Sequence, residues 1–147
     1  MAEIRNQKMI FIKNGGFQEM GNNIKVLLTG DGTEFGRNCS SVLRSSGCDV
    51  TLIAKDGTVA LSEIMSGFYD VAIIDAFMMN LDALGVVNGV AKKKNKPFIM
   101  IMSGSDNQRF EQEILSAGAD YYFLKPFDVN ILAQRVTQLT SWSKNKP

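Results

Sequence analysis

Four consecutive apolar residues, Val71-Ala-Ile-Ile74, end in a carboxylate, Asp75. The run does not alternate with polar residues and is mostly β-branched, so it predicts a strand covered on both faces, as in a parallel sheet. A chain that buries a strand in this way needs helices on both sides of it. Asp75 then sits at the carboxyl end of the strand, the edge of an open parallel sheet where ligands bind. The same carboxylate also suits a cap for Asn80-Leu-Asp82 or the helix after it, and this stretch alone leaves both readings open.

The flanking chain supplies the helices. From Ile24 a βα alternation begins, with Ile24–Thr29 as the first strand and a helix that starts at Asp31-Gly-Thr-Glu34, where Asp31 and Glu34 form a capping box, and ends at Gly47. Asp49–Ala54 is the second strand, and Asp56-Gly-Thr opens a helix with Val59, Ala60, Ile64 and Met65 on one face. After the central strand, Asp82 starts a helix weakened by Gly85 and Gly89 whose last turn is the basic run Lys92–Lys96, read as a solvated C-terminal turn. Pro97 stops it before a fourth strand, Phe98–Met102, whose methionines read as core filler. Ser103–Asn107 turns into a helix through Ala117, and Asp120–Leu124 is the fifth strand. Asp128 caps a last helix striped by Ile131, Leu132, Arg135, Val136, Leu139 and Trp142. Such alternation predicts an α/β domain, doubly wound around a five-stranded parallel sheet in the order 2-1-3-4-5.

The remaining chain is sparse in signals. Residues 1–23 read as a mostly mobile N-terminal arm, with Met9–Lys13 and the turn Asn14-Gly15 as a hairpin alternative. Residues 24–143 form the domain, and 144–147 a polar tail. No output domain is read after Trp142, so the expectation is action through a partner or relay.

Histidine is absent, which excludes Ser-His-Asp and Cys-His nucleophilic systems and imidazole zinc sites. Cys39 and Cys48 have no metal or redox spacing and read as reduced structural thiols, consistent with a cytoplasmic protein. A net charge of +1 implies no general attraction to nucleic acid, and no apolar run is long enough to span a membrane. A G-x-G-x-x-G loop for a nucleotide or flavin is also missing.

Asp31, Asp75, Ser103 and Lys125 follow the first, third, fourth and fifth strands, so all four fall on one sheet edge. Two carboxylates, a hydroxyl and an ammonium are what a magnesium-assisted phosphoryl transfer needs. Here the sequence resembles the receiver domain of two-component response regulators, over roughly Ile24 to Leu139. Ala117-Gly-Ala-Asp-Tyr-Tyr-Phe-Leu-Lys-Pro-Phe-Asp128 carries the resemblance most specifically. Within the family, Ile24-Lys-Val26 and Tyr122–Asp128 are most similar to the receiver of the sporulation transcription factor.

The resemblance implies a flavodoxin-like receiver fold and a role for each matching residue. Asp75 becomes the phosphoacceptor, Lys125 the phosphate-contacting lysine, Ser103 the switch hydroxyl and Tyr122 the switch aromatic. Mg2+ is implied at Asp31, Asp75 and the main-chain carbonyl of Phe77, and Lys125-Pro126 is the bond usually cis in the family. The implied partners are a histidine kinase or phosphotransfer protein and a downstream protein target, with no direct nucleic-acid or membrane contact and a homodimer left open. Any enzymatic activity is limited to self-catalysed phosphorylation and dephosphorylation of the aspartate.

Four positions depart from the family pattern. Gly30 replaces the first acid of the metal pair, Met79 and Ala83 replace the usual Pro and Gly of the loop after the phosphoacceptor, and Gly104 replaces Ala. A loop that kept φ > 0 at Ala83 would be strained by about 1–2 kcal/mol, so it is expected to be rebuilt. These departures support an alternative: a degenerate receiver that serves as an interaction module without phosphorylation.

Overall fold

In a computed structural model of the chain, the structure describes residues 2–5, 8–13, 16–19 and 23–145, with side chains described for 23–139. Near the N-terminus lie three short strands, β1 (Ala2–Arg5), β2 (Lys8–Lys13) and β3 (Gly16–Glu19), paired antiparallel in sequence order. Met9–Lys13 falls within β2, which pairs with β3 as the hairpin alternative has it. Its turn at Asn14-Gly15 lies outside the described residues.

The second sheet has five parallel strands: β4 (Ile24–Thr29), β5 (Cys48–Ile53), β6 (Val71–Asp75), β7 (Phe98–Ser103) and β8 (Tyr121–Leu124). Their order is β5-β4-β6-β7-β8, which is the expected 2-1-3-4-5 arrangement. Helices α1 (Glu34–Ser45), α2 (Gly57–Ser66), α3 (Ala83–Val90), α4 (Gln108–Ala117) and α5 (Val129–Asn145) alternate with the strands. Among the described residues no helix is long and apolar enough to cross a membrane.

The strand period of two explains why β6 and its neighbours carry unbroken apolar runs. Val26, Leu28, Val71, Ile73, Met100 and Met102 pack toward α1 and α5, against Cys39, Leu43, Leu132 and Val136. The alternate residues Leu27, Ala72, Ile74, Ile99 and Ile101 pack on the other face against Ala60, Ile64, Val86 and Ile114. Each fully buried Leu or Ile contributes about 1.5–3 kcal/mol relative to exposure, so a polar residue on either face would be costly. The sequence order of crossovers reverses between β4 and β6, which opens a crevice beside the end of β6.

Several local expectations are corrected. The first helix is capped by Thr33, whose Oγ1 accepts the Gly36 N–H at 2.9 Å, and not by Asp31 with Glu34. On α2 the buried face is Gly57, Ala60 and Ile64, while Val59 and Met65 are exposed. Helix α3 ends at Val90, so the basic run Lys92–Lys96 follows the helix and does not form its last turn. On α5, Val129, Leu132, Ala133 and Val136 are buried and Ile131 is exposed. Trp142 lies in that helix, and its side chain falls outside the described residues.

Candidate functional site

Asp75 ends β6 with its side chain only 7% exposed, and the carboxylate is satisfied from three directions. Lys125 Nζ donates to Oδ1 at 2.8 Å, the Thr29 hydroxyl donates to Oδ2 at 2.7 Å, and Lys55 Nζ stands 3.8 Å from Oδ1. Thr29 Oγ1 also accepts the Asp75 backbone N–H at 3.1 Å, so one buried hydroxyl fixes both ends of the residue. A buried carboxylate needs such partners, since an unpaired charge would be neutralised or expelled. The capping reading of Asp75 is excluded, because Asp82 caps α3 by accepting the Gly85 N–H.

Lys125 is positioned by its own backbone, whose N–H donates to the Ser103 carbonyl at 2.7 Å. Its ammonium lies 4.8 Å from the centre of the Phe35 ring, a cation–π contact beside Asp75. The Lys125-Pro126 bond is cis. Cys39 lies on the same side of the sheet, and burial pushes its thiol up to about 11 despite the opposing charge of Lys125, which makes it an inert core group.

Ser103 is buried at the end of β7, and its hydroxyl is turned into the following loop, not to Asp75. Its Oγ accepts the Ser105 N–H at 3.1 Å and lies 3.3 Å from the Ser105 carbonyl. Tyr122 donates its phenolic hydroxyl to that same carbonyl at 3.3 Å. The two residues therefore share one acceptor. An aromatic chain continues from Tyr122 to Phe110 at 6.4 Å, edge-on, and from Phe110 to Phe77 at 5.4 Å, stacked.

The side of the crevice next to Asp31 is built differently. Gly30 has φ 129, and the carbonyl of Gly30 accepts both the Thr33 N–H at 3.0 Å and the Thr33 hydroxyl at 2.6 Å. A Cβ on Gly36 would lie 2.1 Å from that carbonyl, so the turn closes onto α1 only because both positions are glycine. Asp31 is left exposed at the rim, with its N–H bonded to the Ile53 carbonyl at 2.8 Å. In the loop after Asp75, Ala83 is helical and buried, and Asn80 carries the positive φ of 68. The loop is rebuilt as expected, with the left-handed residue three positions earlier. Asparagine tolerates that conformation because its short polar side chain bonds locally.

The sequence profile of the response regulator receiver domain matches residues 26–137. The chain belongs to this family. A receiver domain of the Francisella response regulator 1452 is 31% identical, with a TM-score of 0.74 over 82% of this chain and 99% of that one. The receiver domain of the sensor histidine kinase PA1611 from Pseudomonas aeruginosa, solved with a magnesium ion coordinated in the active-site cleft, is 27% identical, with a TM-score of 0.69 over 80% of this chain and 96% of that one. The transcriptional regulatory protein PcoR of Escherichia coli is 28% identical over 115 residues, 78% of this chain and 50% of that protein. The chain spans about half the length of the first curated relatives it matches.

Among the described residues no group of three or more His, Cys, Asp or Glu side chains could hold a metal ion, which leaves Asp31 and Asp75 as the carboxylates that could offer oxygens to one here. Hard oxygen donors are the set magnesium takes, and it keeps several waters, so two carboxylates fit a weak site. Thr29 and Lys55 are the site residues that sequence reasoning missed. A hydroxyl ending the apolar run Val26–Leu28 was the available signal for Thr29. For Lys55 there was none, since its reach to Asp75 depends on how two loops pack.

Proposed function

We propose that this receiver accepts a phosphoryl group on Asp75 from a histidine kinase or phosphotransfer protein and passes the signal to a downstream protein target through a surface change. The pairing of a buried, strand-terminal Asp75 with Lys125 at 2.8 Å carries the reading. A buried carboxylate, with one ammonium ready to follow charge onto phosphoryl oxygens, is a nucleophile with its product stabiliser in place. Asp31, Asp75 and the main-chain carbonyl of Phe77 would hold magnesium weakly, and the ion would supply further neutralisation of the phosphoryl oxygens. The likeness to the receiver of the sporulation transcription factor rests on two short stretches and adds no residue to this site.

Signalling follows from the shared acceptor at Ser105. A phosphoryl group on Asp75 draws the Ser103 hydroxyl away from Ser105, which leaves Tyr122 and its ring neighbours Phe110 and Phe77 to rearrange over α4. Amide spectra with and without beryllofluoride and Mg2+ test this, with Asp75→Asn as control. The expected shifts extend to Gln108–Ser116 and to 131–139. Shifts confined to the loops around Asp31 and Asp75 contradict signalling, and no shifts at all favour the phosphorylation-independent module, for which the missing acid at Gly30 is the supporting observation.

A further inference from the structure

The loop after Asp75 is fastened to the turn that carries Lys55. The Met79 N–H donates to the Lys55 carbonyl at 3.0 Å, the Gly57 N–H donates to the Met79 carbonyl at 2.9 Å, and the Asn80 amide donates to Asp56 Oδ2 at 2.7 Å. A parallel bridge pairs Asp56 with Met79, and a Cβ on Gly57 would fall 1.8 Å from the Leu81 carbonyl. Two loops in such close backbone contact hold the Lys55 main chain over the crevice. Its side chain, 45% exposed, then bends inward to place Nζ 3.8 Å from Asp75 Oδ1.

One carboxylate oxygen is thus shared by two ammonium groups, at 2.8 Å and 3.8 Å. Lys125 alone balances the charge of Asp75. The second cation is in excess for a carboxylate and in proportion for a phosphoryl group, which brings two negative charges. On the same side, after the adjacent strand β4, Gly30 withholds a carboxylate, so the crevice is short of a negative charge where it has gained a positive one. Both changes disfavour a divalent cation and favour an anion.

We propose that Lys55 is a phosphoryl-binding cation of this site, which neutralises phosphoryl oxygens beside Lys125 and competes with magnesium for Asp75. This rests on the phosphoacceptor reading. With acetyl phosphate as donor, a carboxylate oxygen of Asp75 bonds to phosphorus as the phosphorus–oxygen bond to acetate breaks. Acetate leaves with the electron pair, no proton is moved, and the negative charge on the transferred oxygens falls between the two ammonium groups. Lys55 needs no metal to act there.

The test follows the intact mass of the parent, Lys55→Gln and Lys55→Arg with acetyl phosphate, in chelator and across a magnesium titration, with magnesium affinity measured separately by calorimetry. The parent labels in chelator, and Lys55→Gln lowers that rate by about tenfold, an effect tempered by the partial exposure of the ammonium. The same variant binds magnesium more tightly, since a competing cation is gone, and Lys55→Arg behaves as the parent. A parent that labels only with magnesium, or a Lys55→Gln variant that matches it in both rate and magnesium affinity, overturns the role of Lys55 alone. A parent that never labels overturns the phosphoacceptor reading together with it.

Discussion

The two sides of the Asp75 crevice were built under different constraints. On the side of β7 and β8, Lys125 pairs with Asp75 and the Lys125-Pro126 bond is cis, with Lys125 locked by its backbone bond to Ser103 and by the Phe35 ring. On the side of β4 and β5, an acid is replaced by Gly30, the loop carries its left-handed residue at Asn80, and a lysine reaches the nucleophile. The difference teaches that one side of the site can depart from the family pattern while the other keeps it and the carboxylate between them stays buried and paired.

The largest effect should come from the side of β7 and β8. Lys125→Gln removes the shortest contact to Asp75, and the rate of labelling by acetyl phosphate should fall about a hundredfold, as when one donor is taken from a charge-stabilising site. An effect no larger than that of Lys55→Gln would mean that the two sides contribute alike and that the comparison fails.

Gly30→Asp sharpens the other side. It restores the missing carboxylate, yet φ 129 and a Cβ only 3.2 Å from Thr33 Oγ1 make the position strained for any side chain. Magnesium should bind more tightly while stability drops by about 1–3 kcal/mol in urea unfolding. Tighter binding without a stability loss would show that the turn relaxes easily. A stability loss without tighter binding would show that position 30 does not face the cation.

The smallest effect concerns the loop fastening. The Thr58 hydroxyl and the Asn80 amide hold the Asp56 carboxyl below the usual range. A lowered folded value means that this stabilisation is complete above the ordinary carboxylate pKa and is lost as pH falls through the folded value. Asp56→Ala should therefore flatten the acid side of the stability profile slightly, and hydrogen exchange at the Met79 and Gly57 amides should quicken. Unchanged exchange would mean that the Met79 backbone bonds hold the loop without Asp56.

Much of the fold was legible because both faces of its central strands are apolar. Val71–Ile74 and Phe98–Met102 can be satisfied only between two helical layers, and the Gly47, Pro97 and Gly118 breaks place the connections. Asp75, Lys125 and Ser103 were legible as strand-end residues on one edge. What stayed hidden depended on single dihedral angles or on loop packing. Asp31 and Thr33 are both good caps, and only the turn at Gly30 decides for Thr33. The buried face of α2 runs through Gly57 because the loop after Asp75 lies against it, which no periodicity within the helix reveals. Ser103 was expected on the same sheet edge as Asp75, and the bonds of its hydroxyl to Ser105 are a resting position that the sequence does not encode locally.

The central claim is that Asp75 is a working nucleophile despite the altered rim. Its most direct test is the intact mass of the protein after incubation with acetyl phosphate and Mg2+, alongside Asp75→Asn. The account predicts the mass of one added phosphoryl group on the parent and none on the variant. An unmodified parent, or equal modification of both proteins, would contradict it.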